Sequence, residues 1–162
     1  MRFVVVIFIF LLFSKGSIGQ ASDSLPTQNA AAVAVIHLVL ADFINAWNSH
    51  DANAFSMVFA EDADFTNIRG NGAHGRTNID SFHAAVFRTL FKDSHQKISN
   101  SKIRFIRADI AAVDAWWEMT GSTNPAGQSI PLRKGLLNFI MIKSGEKWEI
   151  EVMHNMELPV AP

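Results

Sequence analysis

The segment that decides the fold spans residues 47–76 and contains Trp47-Asn48-Ser49-His50-Asp51, Phe59-Ala60-Glu61-Asp62-Ala63-Asp64-Phe65-Thr66-Asn67, Gly70 and His74-Gly75-Arg76. The polar residues at 48–51 end a helical pattern. Asp51 stands where an N-cap would begin a short second helix through Phe59. Alternating polar and apolar residues over 63–68 predict a strand, and glycines punctuate the loop that follows it.

Helices are predicted on both sides of this segment. Upstream, apolar residues recur at three- and four-residue steps, which predicts an amphipathic first helix with Thr27 as its cap. Its buried stripe consists of Val33, Ile36, Leu40, Phe43, Ile44 and Trp47. The apolar stretch 30–40 is short and contains His37, so we expect a core helix rather than a membrane span. Downstream, Thr77 with Asp80 is typical of a capping box that begins a third helix.

From Lys97 onward the apolar pattern changes to a period of two, which predicts strands. We expect them at about 98–108, 110–121, 133–143 and 147–157, with turns at Asp109, 124–127 and 144–145. Three N-terminal helices followed by a mostly antiparallel sheet indicate an α+β fold in one domain.

The N-terminus has the features of a secretory signal peptide. Arg2 precedes an unbroken apolar run over 3–13, and Ser17-Ile18-Gly19 is a small-x-small cleavage site. We therefore predict a signal peptide over 1–19, a flexible leader over 20–27 and a folded domain over 28–158. The predicted location is secreted or periplasmic, without stable membrane insertion after cleavage. An uncleaved anchor is the alternative, but the run is short for a span.

Composition limits the partners. The chain has no cysteine, which excludes disulfides, thiol catalysis and thiolate metal sites. Without Arg2 and Lys15 the 14 basic residues fall to 12 against 15 acidic ones, a net charge of about −3 with neutral histidines. Such a surface repels phosphate backbones, so nucleic-acid binding is not expected.

The motifs together resemble the nuclear transport factor 2-like superfamily, in particular its SnoaL-like branch with the SgcJ/EcaC group. The resemblance covers residues 32–156 and rests on the segment quoted above, on Trp117-Glu118-Met119-Thr120-Gly121, and on Trp148 with His154-Asn155. It implies helices packed on a curved sheet, a cone-shaped cavity on the concave side, and a homodimer through the convex side. No cofactor is implied, and the chain has no dinucleotide-binding fingerprint.

The strand over 110–121 has two different faces, since Trp116 and Trp117 are adjacent and must point in opposite directions. One row is entirely apolar and consists of Ala111, Val113, Ala115, Trp117 and Met119, whereas Asp114, Trp116, Glu118 and Thr120 form a mixed row. Simple burial would place the apolar row against the helices. The resemblance favours the other arrangement, in which the mixed row lines the cavity and the apolar row meets a second subunit.

The catalytic residues of steroid isomerases from the same superfamily can be compared with this sequence. The resemblance places Asn67 where those enzymes have a base carboxylate, and Phe43 where they have an oxyanion-binding tyrosine. An amide is not a base at neutral pH and a phenyl ring donates no hydrogen bond, so that isomerase chemistry is disfavoured. Asn67 would either orient a ligand or bond to neighbouring backbone.

The remaining catalytic candidates are acids and histidines. Glu118 and Glu151 would be cavity carboxylates with raised pKa values if the mixed row faced inward, and surface acids beside Lys and Arg otherwise. His74 and His154 are candidate bases. Their convergence with Asp64 would form a two-histidine, one-carboxylate site, but the histidine spacing is not that of a metal site, and none is predicted. Arg76 is expected to pair with Asp64 or Asp80.

The predicted function is the binding of a small, largely apolar organic molecule in the cavity. The predicted ligand-binding residues are Phe43, Trp47, Phe65, Asn67, Trp116, Glu118, Phe139, Glu151, Met153 and Asn155. One alternative is a cyclase-, dehydratase- or isomerase-like enzyme that uses a pocket carboxylate or histidine. A second is a dimerisation module without a ligand.

Overall fold

The structure, a computed structural model, describes residues 25–159. The predicted signal peptide and residues 20–24 of the predicted leader lie outside this range. Within it the chain forms three helices, α1 (Leu25–Asn48), α2 (Ala52–Ser56) and α3 (Arg76–Phe87), and six strands, β1 (Phe59–Thr66), β2 (Gly72–His74), β3 (His95–Arg107), β4 (Ile110–Thr120), β5 (Arg133–Ser144) and β6 (Lys147–Leu158). The predicted α+β fold is confirmed.

The helix starts differ from the prediction at two of three positions. Helix α1 begins at Leu25, three residues before the predicted start of the folded domain at residue 28. Asp51 is the N-cap of α2 as predicted, because its carboxylate accepts a hydrogen bond from the Ala54 amide at 2.9 Å. The capping box predicted for α3 is wrong. Gly75 takes the N-cap position at φ 80°, a conformation that favours glycine, and no side chain caps this end.

The six strands form one sheet in the order β2-β1-β6-β5-β4-β3. Neighbouring strands are antiparallel except β1 and β6, which run parallel. The four strands predicted after residue 97 are confirmed with ends within three residues. Strand β2 was expected to be loop, and it forms because Gly72–His74 pairs with Asp64–Thr66 of β1.

The faces of the sheet are the reverse of those that the resemblance favoured. The apolar row of β4 is buried, and its members pack in one core cluster with Phe43, Phe55 and Ile79 of the three helices. The mixed row points to the other face, where Trp116 and Glu118 are only partly buried. The helices already remove the apolar row from water, so that row needs no second subunit.

Helix α1 packs an apolar face against the sheet. Residues Asn29–Asn48 are long and apolar enough to cross a membrane by length and composition, although only 28% of that window is buried. Its buried side chains are Ile36, Leu40, Phe43, Ala46 and Trp47, which lie on one face at helical spacing. That face is the one that covers the sheet.

Candidate functional site

A cavity of about 510 Å³ lies between the helices and one end of the sheet. Its mouth is where β1, β4 and β6 end and where β3 and β5 begin, next to the loops 67–71 and 121–132. Apolar side chains form most of the wall, among them Phe43, Trp47, Phe65, Phe82, Leu137 and Met153. The polar side chains that reach it include Asn67, His83, Gln96, Arg133, Asn155 and Glu157.

The Trp117 indole is fixed in the cavity wall by a glycine on the adjacent strand. Gly135 pairs with Trp117, and a Cβ atom at Gly135 would lie 2.1 Å from the indole Cζ2. The indole therefore lies flat across β5, and its Nε1 donates a hydrogen bond to Asn155 Oδ1 of β6 at 2.9 Å. The absence of a side chain at Gly135 thus sets the shape of this wall.

Two of the side-chain amides in the cavity wall, those of Asn67 and Asn155, have oxygens that accept hydrogen bonds from the protein. Asn155 Oδ1 accepts from Trp117, as above. Asn67 Oδ1 accepts from the backbone amides of Arg69 at 2.8 Å and Asn71 at 3.0 Å, which holds the loop between β1 and β2. Because these oxygens face N–H donors, the amide orientations are fixed, and the NH₂ groups are what both side chains offer a ligand.

Arg133 is a buried cation in the cavity wall, with 8% of its surface exposed. Its Nε donates to Glu157 Oε1 at 2.6 Å, and its guanidinium carbon lies 5.8 Å from the ring centroids of both Phe91 and Trp117. The aromatic rings favour the cation from two sides. The two terminal nitrogens carry further N–H donors, and the hydrogen-bond partner of Nη1 within residues 25–159 is the weak acceptor Met119 Sδ, at 4.0 Å.

His83 of α3 is the buried titratable group of the cavity. Its Nδ1 donates to the Ile79 carbonyl at 2.7 Å, which leaves Nε2 as the unprotonated nitrogen of the neutral ring. Burial among Phe55, Phe65 and Phe82 lowers the pKa of His83 from 6.5 to about 4, and the bond to Ile79 opposes this only in part. The ring is therefore neutral at pH 7.

Six of the ten predicted ligand-binding residues line the cavity, namely Phe43, Trp47, Phe65, Asn67, Met153 and Asn155. Phe139 lies in the core behind them, with its ring centroid 5.7 Å from that of Phe43. The other three, Trp116, Glu118 and Glu151, are not in the cavity wall. Whether any of the six binds a ligand stays a prediction.

Glu118 is a surface carboxylate on the outer face of the sheet, so its predicted place in the cavity is wrong. It lies 3.0 Å from the ammonium groups of both Lys97 and Lys134, on the neighbouring strands. Hydrogen bonds from these two lysines lower its pKa, the opposite of the rise that a general base in an apolar cavity would show.

Glu151 also lies outside the cavity wall, at an irregularity in β6 where the pairing with β5 skips one residue. Its Oε2 is buried without a hydrogen-bond partner among the described residues. Burial, then the charges of Asp62, Asp64 and Glu149, raise its pKa. The expected direction is therefore observed, but the burial that mainly causes it is at the strand irregularity and among other acids, not in the cavity wall.

The histidine candidates are both exposed and lie away from the cavity. His74 Nδ1 is 3.0 Å from Asp64 Oδ1 across the β1–β2 pair, and the two side chains are 72% and 63% exposed. His154 is exposed in β6. Within residues 25–159 there is no group of three His, Asp or Glu side chains that could hold a metal ion. Arg76 pairs with Glu149 at 3.1 Å and with the Phe59 carbonyl, not with Asp64 or Asp80.

The cavity residues that were not predicted from the sequence include His83, Gln96, Trp117 and Arg133. Arg133 alternates with Gly135, Leu137 and Phe139, so its place in an inward row was visible in β5 once the inward face was known. His83 lies on the predicted third helix, where a single histidine gave no comparable signal. Trp117 was assigned to the opposite face.

Comparisons with known proteins agree with this geometry. The model of the SnoaL-like domain family matches residues 40–150. No match was found among curated proteins. An uncharacterised protein with a cystatin-like fold from Caulobacter vibrioides is 22% identical with a TM-score of 0.74, over 80% of this chain and 91% of that one.

Two further solved structures are similar in fold. A provisionally named scytalone dehydratase from Novosphingobium aromaticivorans is 16% identical over 83% of this chain and 89% of its own, with a TM-score of 0.73. The hexachlorocyclohexane dehydrochlorinase LinA-type3 from Novosphingobium barchaimii is 15% identical over 80% and 88%, with a TM-score of 0.72. At these identities the likeness concerns the fold alone. By its family model and its architecture, the chain belongs to the SnoaL-like domain family of the nuclear transport factor 2-like superfamily.

Proposed function

We propose that this protein binds a small, largely apolar organic molecule in the cavity between its helices and its sheet. The observation that carries the proposal is a cavity of about 510 Å³, whose apolar wall is interrupted by a few fixed polar groups. Volumes of roughly 300–1,000 Å³ and such walls are typical of small-molecule sites. From the sequence features at 1–19, we also propose that the protein is exported.

Binding is favoured over catalysis by the state of His83. A general base works best when its pKa lies near the operating pH. Burial lowers the pKa of His83 to about 4, so the imidazole in the cavity wall has little tendency to take a proton at pH 7. Glu118, the predicted carboxylate base, is outside the cavity and paired with two lysines.

A second candidate function is an elimination reaction, in which His83 Nε2 removes a proton from the bound molecule. It is favoured by one observation, the unprotonated Nε2 that the bond from Nδ1 to Ile79 leaves on a cavity-lining ring. A dehydratase and a dehydrochlorinase, the names of two similar structures, are both enzymes of elimination. The substrate would need an acidic C–H bond near Nε2 and a leaving group on the adjacent carbon: the C–H electron pair forms the double bond, the leaving group departs with its own pair, and Nε2 keeps the proton.

The binding proposal is tested by filling the cavity. Native mass spectrometry of protein isolated from its exported fraction should identify a bound small molecule, and its affinity is then measured by calorimetry. Leu137→Trp places a large ring in the cavity, whereas Leu136→Trp on the same strand points to the opposite face. We expect only the first change to abolish binding.

Two outcomes contradict the binding proposal: unchanged affinity in Leu137→Trp, or equal losses in both variants. If Leu137→Trp fails to fold, Val86→Trp on α3 tests the same cavity from the helix side, since Val86 also lines it.

For the second candidate, the elimination reaction, His83→Phe should abolish turnover of a bound substrate and leave its binding within about threefold, a difference below 1 kcal/mol. Turnover that survives this change excludes His83 as the base.

We further propose a homodimer that uses the outer face of the sheet. The apolar row of β4 lies in the core, so the contact surface would be the mixed row around Trp116. Sedimentation of the wild type and of Trp116→Lys tests this: a dimer that the substitution converts to monomer supports it. A wild-type monomer at micromolar concentration contradicts it.

A further inference from the structure

We propose that the cavity ligand is an organic anion, a small apolar molecule whose carboxylate or similar acidic group is bound by Arg133. This inference rests on the binding function proposed above and names the chemical class of the ligand. It depends on three observations about the cavity: its charges, its surplus of hydrogen-bond donors, and the unused donors of the buried guanidinium.

The charged side chains in the cavity wall have a net positive sum. Arg133 lies inside the cavity and Arg69 at its mouth, and Glu157 is the carboxylate that opposes them. His83 contributes no charge at pH 7, because burial lowers its pKa to about 4. This local charge contrasts with the mature chain, which carries about −3. A positively charged cleft in a chain of net negative charge concentrates small anions.

The fixed polar groups are mainly donors. Asn67 and Asn155 have oxygens that accept N–H groups of the protein, so their NH₂ groups are available. The acceptors that remain include His83 Nε2, the second oxygen of Glu157, and Gln96 Oε1, which is buried without a hydrogen-bond partner among the described residues. A ligand oxygen that carries charge would satisfy several donors at once, and charge-assisted hydrogen bonds are about twice as strong as neutral ones.

The Arg133 guanidinium retains donors for such a group. Glu157 occupies Nε, and the hydrogen-bond partner of Nη1 within residues 25–159 is the weak acceptor Met119 Sδ. The guanidinium carbon lies 5.8 Å from the ring centroids of both Phe91 and Trp117, and only 8% of the Arg133 surface is exposed. In such low-dielectric surroundings a charge pair is stronger than in water, and the planar fork matches a carboxylate.

Glu157 sets the strength of this site. Its carboxylate is 2.6 Å from Arg133 Nε and 40% exposed, so it competes with a ligand carboxylate for the same cation. The proposal therefore makes an unusual prediction, that removing an acid improves binding. Glu157→Gln keeps the shape and one hydrogen-bond acceptor while it removes the competing charge.

The test uses 2-naphthoate and its neutral counterpart 2-naphthamide, which share ring and shape and differ in charge. Calorimetry should show the wild type binding naphthoate about tenfold or more tightly than naphthamide. Arg133→Gln should remove this preference, and Glu157→Gln should increase naphthoate affinity several-fold. Arg104→Gln removes an exposed arginine on β3 outside the cavity wall and is the matched control, with an expected change below about twofold.

The outcomes separate the two proposals. Equal affinity for naphthoate and naphthamide, with both lost in Leu137→Trp, would overturn the anion preference and leave the binding function intact. Binding of neither probe at millimolar concentration would overturn both. If Arg133→Gln fails to fold, the Glu157→Gln variant tests the proposal in its place. Unchanged or weaker naphthoate binding in that variant contradicts the proposed binding of the ligand carboxylate by Arg133.

Discussion

The replacement of Gly135 by alanine is the change that most directly tests the described cavity wall. A Cβ atom at this position would lie 2.1 Å from Trp117 Cζ2, 2.2 Å from Trp117 Cε2 and 2.3 Å from the Met156 carbonyl oxygen. Real Cβ atoms do not approach so closely, so the indole must leave the surface of β5 and enter the cavity. We expect lower stability and a smaller cavity.

The magnitude follows from three contributions. Overpacking of a core costs about 1–3 kcal/mol. Displacement of the indole breaks the Trp117–Asn155 hydrogen bond, which contributes about 1 kcal/mol. Alanine reduces the entropy of the unfolded chain, which returns about 0.5 kcal/mol. The free energy of unfolding should fall by about 3 kcal/mol, and the Tm by roughly 10 °C for a domain of this size.

Thermal unfolding measures this loss, and the chemical shift of the Trp117 indole N–H reports whether the ring has moved. Gly127→Ala is the matched control, since Gly127 has φ +80° and no atom within 4 Å of an added Cβ. It should cost only about 1 kcal/mol from the strained backbone and leave the indole signal unchanged. A Gly135→Ala variant with wild-type Tm and an unmoved Trp117 signal would refute the described packing.

Three further predictions concern single side chains. Burial lowers the pKa of His83 to about 4. Between pH 6.5 and 4 the His83 ring is therefore protonated in the unfolded chain and neutral in the folded chain. Stability should therefore fall by up to roughly 3 kcal/mol as the pH drops through this window, and acid titration of His83→Phe should lack that part. Asp51→Ala removes the α2 cap and should cost about 1 kcal/mol in urea unfolding, whereas Asp42→Ala, with no cap role, should cost less. Glu118→Gln should leave ligand affinity unchanged, since the side chain lies outside the cavity wall; a loss comparable to that of Leu137→Trp would contradict the assigned sheet face.

Local sequence patterns were sufficient to predict most of the helices and strands. The period-two alternation after residue 97 predicted β3 to β6, because a half-buried strand must alternate whatever it packs against. Asp51 was recognisable as a cap because the carboxylate satisfies an amide three residues away, without any distant contact. Strand β2 was missed because three residues are too few to show a periodic signal, and only pairing with β1 makes them a strand.

Spacing along the chain was enough to predict the fold class, the order of every element except β2, and the difference between the two faces of β4. The packing of the helices on the sheet settled which of these faces is inward, and therefore that Trp117 rather than Trp116 lines the cavity. The tertiary structure also decided that Glu118 lies between two lysines, and that Arg133 and His83 share a cavity. These relations join residues far apart in sequence, and they follow from where the helices cover the sheet and not from any local pattern.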